Sequence, residues 1–351
     1  MGKKVRVGVI GAGSWTISSH LPNLAKHDDV EFVAVSRKGP EMLQMVQDRY
    51  GFAVASEDYR DVLDAEVDVC IVASPTALHH EHAKAALMSG AHVMCEKAFT
   101  VSPSDAWDLA ATAEDQGREL VIAFGWNYQP VAQAAKRSMD ELGLGTIEQL
   151  SVTMSSVTRE LLSNTGAYPG AAPESIPESR TWTDAAVSGG GYGQAQLSHA
   201  LGLALWLTGL RAEDGFAFMS APMDAPVELH DAITLRFDGN AIGVVSGGSS
   251  HLGASRYSHA LEVRVIGSDG QLMVDTEREA AWHFFKGQER IADLPAGSGE
   301  QNCVGPIEAI LAAGRGTPFE NASPAELGAR TVEALDIAYR SARSGLLESR
   351  T

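Results

Sequence analysis

The chain has 351 residues, more than one ordinary core carries and enough for two domains, and at 44% hydrophobic and 21% charged its composition is globular. Its 27 Lys and Arg against 45 Asp and Glu leave a net charge of -18, which repels a phosphate backbone and excludes nucleic acid as an expected partner. A phosphate-bearing cofactor is still admissible, because local geometry holds one inside an acidic protein.

The first element is the β-rich run Val5-Arg6-Val7-Gly8-Val9-Ile10, which ends at glycines, with a helical pattern from Thr16. A strand from Glu31 to Ser36 and a helix over 40–50 follow. Val67 to Ala73 is a nearly continuous apolar strand of the kind covered on both faces in a parallel sheet. A helix from Leu78 to Ser89, a strand from His92 to Cys95, a helix over 103–117 and a strand from Leu120 to Phe124 complete the alternation. This order predicts an α/β fold whose residues 1–125 form a doubly wound, Rossmann-type domain on a parallel sheet.

Past Gly125 the pattern changes. A helix over 130–142 leads into a strand from Ile147 to Val157, then a Pro/Gly/Ser-rich stretch from Leu161 to Gly191, of a length that is usually functional or mobile. After a helix from Gln196 to Leu207, residues 213–293 alternate strands with turn signals. Two helices close the chain, the last with Ser323 as its expected N-cap ahead of Pro324. Residues 126–351 are therefore expected to be an α/β substrate domain with a largely antiparallel open sheet, its last helix packing back on the first domain.

Three cysteines, Cys70, Cys95 and Cys303, are too few and scattered for a disulfide framework and suit a reducing compartment. No apolar run is long enough to span a bilayer. The start Met1-Gly2-Lys3-Lys4 has no apolar h-region, and Arg6 stands where a myristoylation signal needs a hydroxyl. A cytoplasmic protein without a membrane partner is expected.

The chemistry begins at Gly11-Ala12-Gly13-Ser14-Trp15-Thr16, between the first strand and first helix. Two glycines permit a tight turn and close approach of a pyrophosphate, which the helix N-terminus stabilises. Thr16 stands where a dinucleotide fingerprint has its third glycine. The second strand ends in Ser36-Arg37-Lys38, where an NAD enzyme places a carboxylate; a hydroxyl and two cations suit a 2′-phosphate, hence NADP in preference to NAD. Lys97 falls just past the carboxyl end of a strand, where open α/β sheets bind ligands.

The run Ser89-Gly90-Ala91-His92-Val93-Met94-Cys95-Glu96-Lys97 resembles the Glu-Lys-Pro signature of the Gfo/Idh/MocA family of sugar and inositol oxidoreductases, with Ala98 in place of the proline. Other landmarks follow the same order. Ala73-Ser74-Pro75-Thr76-Ala77-Leu78-His79 is similar to the family loop under the cofactor. Asn127 follows the sixth strand, Ser188 to Gly191 resembles the glycine run before a catalytic histidine, here His199, and Ala338 to Ala342 resembles the C-terminal helix. The resemblance implies that Lys97 hydrogen-bonds the reacting oxygen and His199 is its acid/base partner, with Ser74, Pro75, Thr76, His79, Glu96, Lys97 and Asn127 at the cofactor. It also implies a homodimer or homotetramer, which the small, apolar strand Ala241 to Gly248 suits.

Two positions depart from the family. Its aspartate four residues before the histidine is Ala195, and its acidic site three residues after is Gly202. Gln196, one turn before His199, is a candidate to orient substrate but not a base. Tyr128, Arg180, Trp182 and Tyr192 are candidates to wall a sugar site. His79-His80-Glu81-His82 puts two imidazoles on one helical face, yet no further ligand cluster accompanies them, so no metal is expected. The activity implied is hydride transfer between a nicotinamide and a hydroxyl or keto carbon of a sugar, inositol or derivative. Its alternatives are transient sugar oxidation without net redox, and a catalytically silent NADP-binding regulator.

Overall fold

The structure, a computed structural model, describes residues 3–168, 171 and 176–351. Met1, Gly2 and the parts 169–170 and 172–175 of the long stretch Leu161 to Gly191 lie outside the described residues.

Six strands, β1 (Val5–Ile10), β2 (Val30–Ser36), β3 (Val54–Ser56), β4 (Val69–Val72), β5 (His92–Cys95) and β6 (Leu120–Ile122), form a parallel sheet in the order β3-β2-β1-β4-β5-β6. Both faces are covered, which is why the strands read as unbroken apolar runs. Val7, Val9, Val69, Ile71 and Met94 pack on one side against Ile17, Leu21, Leu43, Val46 and Ile310. Cys70, Val72, Val93 and Cys95 pack on the other against Ala83, Leu87 and Leu109. Burying each large apolar side chain contributes about 1.5–3 kcal/mol. The helix Pro103–Gln116 shows how local sequence sets an element: Ser102 Oγ accepts from Asp105 N, Pro103 opens the first turn, and left-handed Gly117 ends it.

The second sheet has nine strands: β7 (Ile147–Ser156), β8 (Ala212–Ser220), β9 (His230–Phe237), β10 (Ile242–Ser249), β11 (His259–Gly267), β12 (Gly270–Asp275), β13 (Ala280–Phe285), β14 (Gln288–Ile291) and β15 (Glu348–Ser349). Their order is β14-β13-β12-β11-β7-β10-β9-β8-β15, with β7 and β10 parallel and the other pairs antiparallel. The helices Pro130–Leu142, Ser198–Thr208 and Ala325–Ser344 cover its inner face. Its outer face leaves Phe218, Ile242 and Val244 exposed.

The halves exchange elements. The helix Val304–Arg315 returns to the first sheet, where Ile307, Ile310 and Leu311 are buried against β1, β4 and β5. The helix Ala325–Ser344 lies between the helix Pro103–Gln116 and β8, and its Glu333 accepts from Trp107 Nε1 at 2.8 Å and Arg211 Nη2 at 2.7 Å. Ser323 does not cap that helix as expected. Its Oγ donates to Ile122 O at 2.6 Å and its carbonyl accepts from Ile122 N at 2.8 Å, so it extends the edge of β6 instead. No helix among the described residues is long and apolar enough to cross a membrane.

Candidate active site

Loops from the carboxyl ends of β1, β2, β4, β5 and β6 converge along one edge of the parallel sheet. Gly11 has φ +89°, and a Cβ there would stand 2.3 Å from Ser74 N. Only glycine lets the first loop rest on the Ser74 backbone. At Gly13 a Cβ would find nothing nearer than Gly11 O at 4.0 Å, so the space beside that turn is open. A tight glycine turn, an open flank and a helix N-terminus fit a dinucleotide pyrophosphate. Ser14 and half-exposed Trp15 border that flank. Thr16 does not face it: buried, its Oγ1 donates to Gly11 O at 3.1 Å and braces the turn from within.

At the end of β2, buried Ser36 accepts the Gly11 and Ala12 amides at its carbonyl. Arg37 lies back over the loop, donating from Nη1 to Ala12 O at 2.9 Å and from Nε to Lys38 O at 3.2 Å. Lys38 turns away and donates to Glu57 O at 2.9 Å.

Beneath the cofactor edge, two residues expected to touch the cofactor act as braces. His79 is buried, with Nε2 2.6 Å from Ser74 O and Nδ1 3.0 Å from Ala98 O. It ties the Ser74-Pro75-Thr76 loop to the segment after Lys97, whose Lys97–Ala98 peptide is cis. Glu96 accepts from His20 Nε2 at 2.7 Å and from Lys97 N at 3.0 Å. Burial alone would raise its pKa, but the His20 hydrogen bond and the charges of His20 and Lys97 prevail and lower it. Neighbouring His80 pairs with Asp108 and His82 with Ser74 Oγ. Among the described residues no group of His, Cys, Asp or Glu is placed to hold a metal ion.

Lys97 reaches across to the second half of the chain. Its Nζ donates to Ala195 O at 2.8 Å and lies 5.6 Å from the Trp182 ring centroid. That carbonyl belongs to a π-helical turn, Gly193–Leu197, at the head of the helix Ser198–Thr208, which carries His199. A backbone oxygen therefore meets the lysine at the position where a carboxylate was missing. Burial lowers the Lys97 pKa, with Glu96 and Cys303 opposing. Burial, then the Lys97 charge, pushes His199 well below the usual histidine range, so its imidazole is neutral. His199 stands edge-on to Trp126, ring centroids 4.9 Å apart. Gly202 is explained by packing: a Cβ there would come within 2.8 Å of the Phe124 ring, leaving no room for an acidic side chain.

The other expected wall residues divide. Trp182 lies beside the Lys97 ammonium. Arg180, on the same short helix, is exposed and paired with Asp184 at 3.2 Å. Tyr192 is fully buried in the second core, and its hydroxyl is already engaged, donating to Met154 O at 3.1 Å. Tyr128 turns its hydroxyl to Ser323 Oγ at 3.0 Å. Asn127 is buried and donates to Ala322 O at 2.8 Å. Gln196 accepts from Ser156 Oγ at 3.2 Å, which fixes the turn on β7. Sequence reasoning missed Trp126 and His259, whose rings stand edge-on at 5.4 Å. The only signal for His259 was a polar residue in phase with the inward positions Leu261, Val263 and Val265 of β11.

Residues 5–124 match the model of an oxidoreductase family with an NAD-binding Rossmann fold, and residues 132–273 match the GFO/IDH/MocA C-terminal domain. A D-glucoside 3-dehydrogenase of Escherichia coli is 33% identical over 41% of this chain and 41% of its own length. A myo-inositol 2-dehydrogenase of Thermotoga maritima is 25% identical over 78% of this chain and 76% of its own. The solved levoglucosan dehydrogenase in complex with NADH and levoglucosan shares the fold, with TM-score 0.79 at 19% identity over 99% of this chain and 100% of that one. The chain belongs to the Gfo/Idh/MocA family of NAD-binding oxidoreductases.

Proposed function

We propose that the chain is an NAD(P)-dependent dehydrogenase or reductase acting on a hydroxyl or keto carbon of a sugar, inositol or sugar derivative. The observation that supports it most is the meeting of Lys97 with the head of the His199 helix, beside buried polar atoms that have no protein partner among the described residues: His199 Nδ1, His259 Nδ1 and Trp126 Nε1. Buried polar groups are ordinarily paired, and a hydroxyl-rich ligand supplies such partners. The relatives named for D-glucosides, inositol and levoglucosan point to the same class. Nicotinamide, when bound, takes or gives the hydride. Lys97 holds the reacting oxygen, and neutral His199 accepts the hydroxyl proton in oxidation or, once protonated, returns it in reduction. The test is a panel of sugars and inositols with both cofactors, read by the absorbance of reduced nicotinamide. Lack of turnover across the panel would refute it.

NADP is the preferred cofactor in this reading, NAD the second. Arg37 spends Nη1 and Nε on backbone carbonyls, and Nη2 has no protein partner among the described residues, leaving a donor for a 2′-phosphate. The chain assembles as a homodimer or homotetramer through the outer face of the second sheet, where Phe218 is 70%, Ile242 56% and Val244 44% exposed. Light scattering at micromolar concentration tests this, and a monomer would refute it.

A further inference from the structure

Behind the Lys97–His199 pair stands a second imidazole that the proposed chemistry does not use. His259 opens β11 on the inner face of the second sheet, opposite Ser156 of β7. It is 8% exposed, and its ring stands edge-on to the indole of Trp126, which His199 also meets edge-on. One indole thus links both imidazoles, and among the described residues neither Nδ1 has a partner. Buried polar groups ordinarily find partners, so orphans gathered beside a reactive lysine mark where a bound molecule completes the set.

The other nitrogen of His259 is engaged, and this decides what Nδ1 does. Tyr168 Oη lies 3.0 Å from His259 Nε2. Burial raises the Tyr168 pKa, keeping it a phenol. The phenol O–H has no other acceptor among the described residues, so it donates to Nε2. The neutral ring then carries its hydrogen on Nδ1. Burial, reinforced by the Lys97 charge, pushes His259 down to about 3, so the ring stays neutral at physiological pH.

We infer that His259 is a substrate-binding residue, donating from Nδ1 to a second hydroxyl of the ring on which Lys97 and His199 act, with Tyr168 as the positioning residue that sets its tautomer. This rests on the oxidoreductase reading above and deepens it: the substrate must carry an acceptor oxygen beside the reacting carbon.

Two substitutions separate the nitrogens, because an Asn amide reaches the place of Nδ1 and a Gln amide that of Nε2. His259→Asn keeps a donor for substrate, and its KM should stay within a few-fold of wild type. His259→Gln keeps the Tyr168 contact, and its KM should rise about ten-fold, the loss expected for one neutral hydrogen bond. In that variant kcat should fall less than KM rises, and NADH binding by fluorescence titration should not move. The reverse ranking, Gln tolerated and Asn damaging, would mean that His259 merely holds Tyr168, and overturns the inference. Independently of any substrate, nitrogen-15 NMR should find His259 in the Nδ1–H tautomer at pH 7, shifting towards Nε2–H in Tyr168→Phe. A wild-type ring in the Nε2–H form overturns the inference even when polyols are oxidised. If wild type oxidises no polyol at all, it is the parent reading that fails.

Discussion

Two helices frame the site, and each contains a π-helical turn near its start, Thr16–His20 on the cofactor side and Gly193–Leu197 on the substrate side. Such turns are uncommon and gather at functional sites. The first closes on its own half: Thr16 donates to Gly11 O, and His20 to Glu96. The second opens outward, giving the Ala195 carbonyl to Lys97; His20 Nδ1 on the first and His199 Nδ1 beyond the second both lack a partner among the described residues. The cofactor side is thus built mainly from backbone, with side chains as internal braces. The substrate side is built from side chains, with the rings of His199 and His259 meeting that of Trp126. A backbone cradle suits one invariant ligand, whereas a side-chain wall can change with the substrate.

The largest effect should come where the two sides meet. Lys97→Ala should lower kcat by about 10²–10⁴, the usual range of general acid/base and positioning effects, while cofactor affinity stays within a small factor. Near-normal kcat in a folded variant would dissolve the distinction between the sides, since Lys97 is the group that crosses between them.

A smaller effect is expected at the cofactor corner. Arg37→Asp should shift the NADP/NAD ratio of kcat/KM about ten- to a hundred-fold towards NAD, because a charge-assisted hydrogen bond is worth roughly 1.5–3 kcal/mol. Added salt should shrink the wild-type preference. An unchanged ratio would show Arg37 to be only a brace for Ala12 O.

Much of the cofactor side was legible in sequence, because its signals are local. Val69–Val72 reads as a buried parallel strand, and Gly11, Gly13 and Lys97 each fall at a strand end. The substrate side was harder to read because its parts are distant in the chain. His259 is 60 positions from His199, and only the pairing of β11 with β7 over the Trp126 ring brings them together. Tyr192 shows the converse error: a tyrosine beside a glycine run looks available, but its burial under the second sheet depends on contacts with Met154 and Ser156 far up the chain. The return of Val304–Arg315 to the first sheet likewise leaves no local mark, since an apolar helix does not say which sheet it covers.

Restoring the missing carboxylate tests the substrate side directly. Ala195→Asp would set a negative charge near Lys97, which now meets only a carbonyl. Burial lowers the Lys97 pKa, and a nearby anion raises it. Neutral His199 takes the hydroxyl proton in oxidation, and it stands one turn beyond position 195. Burial and the Lys97 charge hold its pKa down, so an anion at 195 raises it too, and the acid limb of kcat/KM should move up by about one pH unit. A limb that stays in place would mean that His199 is not the group that takes the proton.

The smallest effect concerns an orphan that no ligand explains, and it sharpens what an unpartnered atom on the substrate side means. Asp231 on β9 is buried, and among the described residues neither of its carboxylate oxygens has a partner. Glu228 nearby takes the available donors, Gly191 N, Gly193 N and Tyr339 Oη. Burial, then the Glu228 charge, holds Asp231 well above the usual carboxylate range, so it carries the proton of the pair. The sign follows from linkage. A folded pKa above the unfolded value, about 3.9, gives stability that is complete below that value and lost as pH rises towards the folded pKa. Asn imitates the protonated acid without the titration. Asp231→Asn should therefore match wild type near pH 4 and exceed it at pH 8, by about 2 °C or more in Tm, with NADH binding unchanged. A thermal series across that range decides it. If the variant is less stable at pH 8, Asp231 is ionised and partnered in the native assembly, and an unpartnered buried oxygen in this half marks a contact still to be found rather than a structural cost.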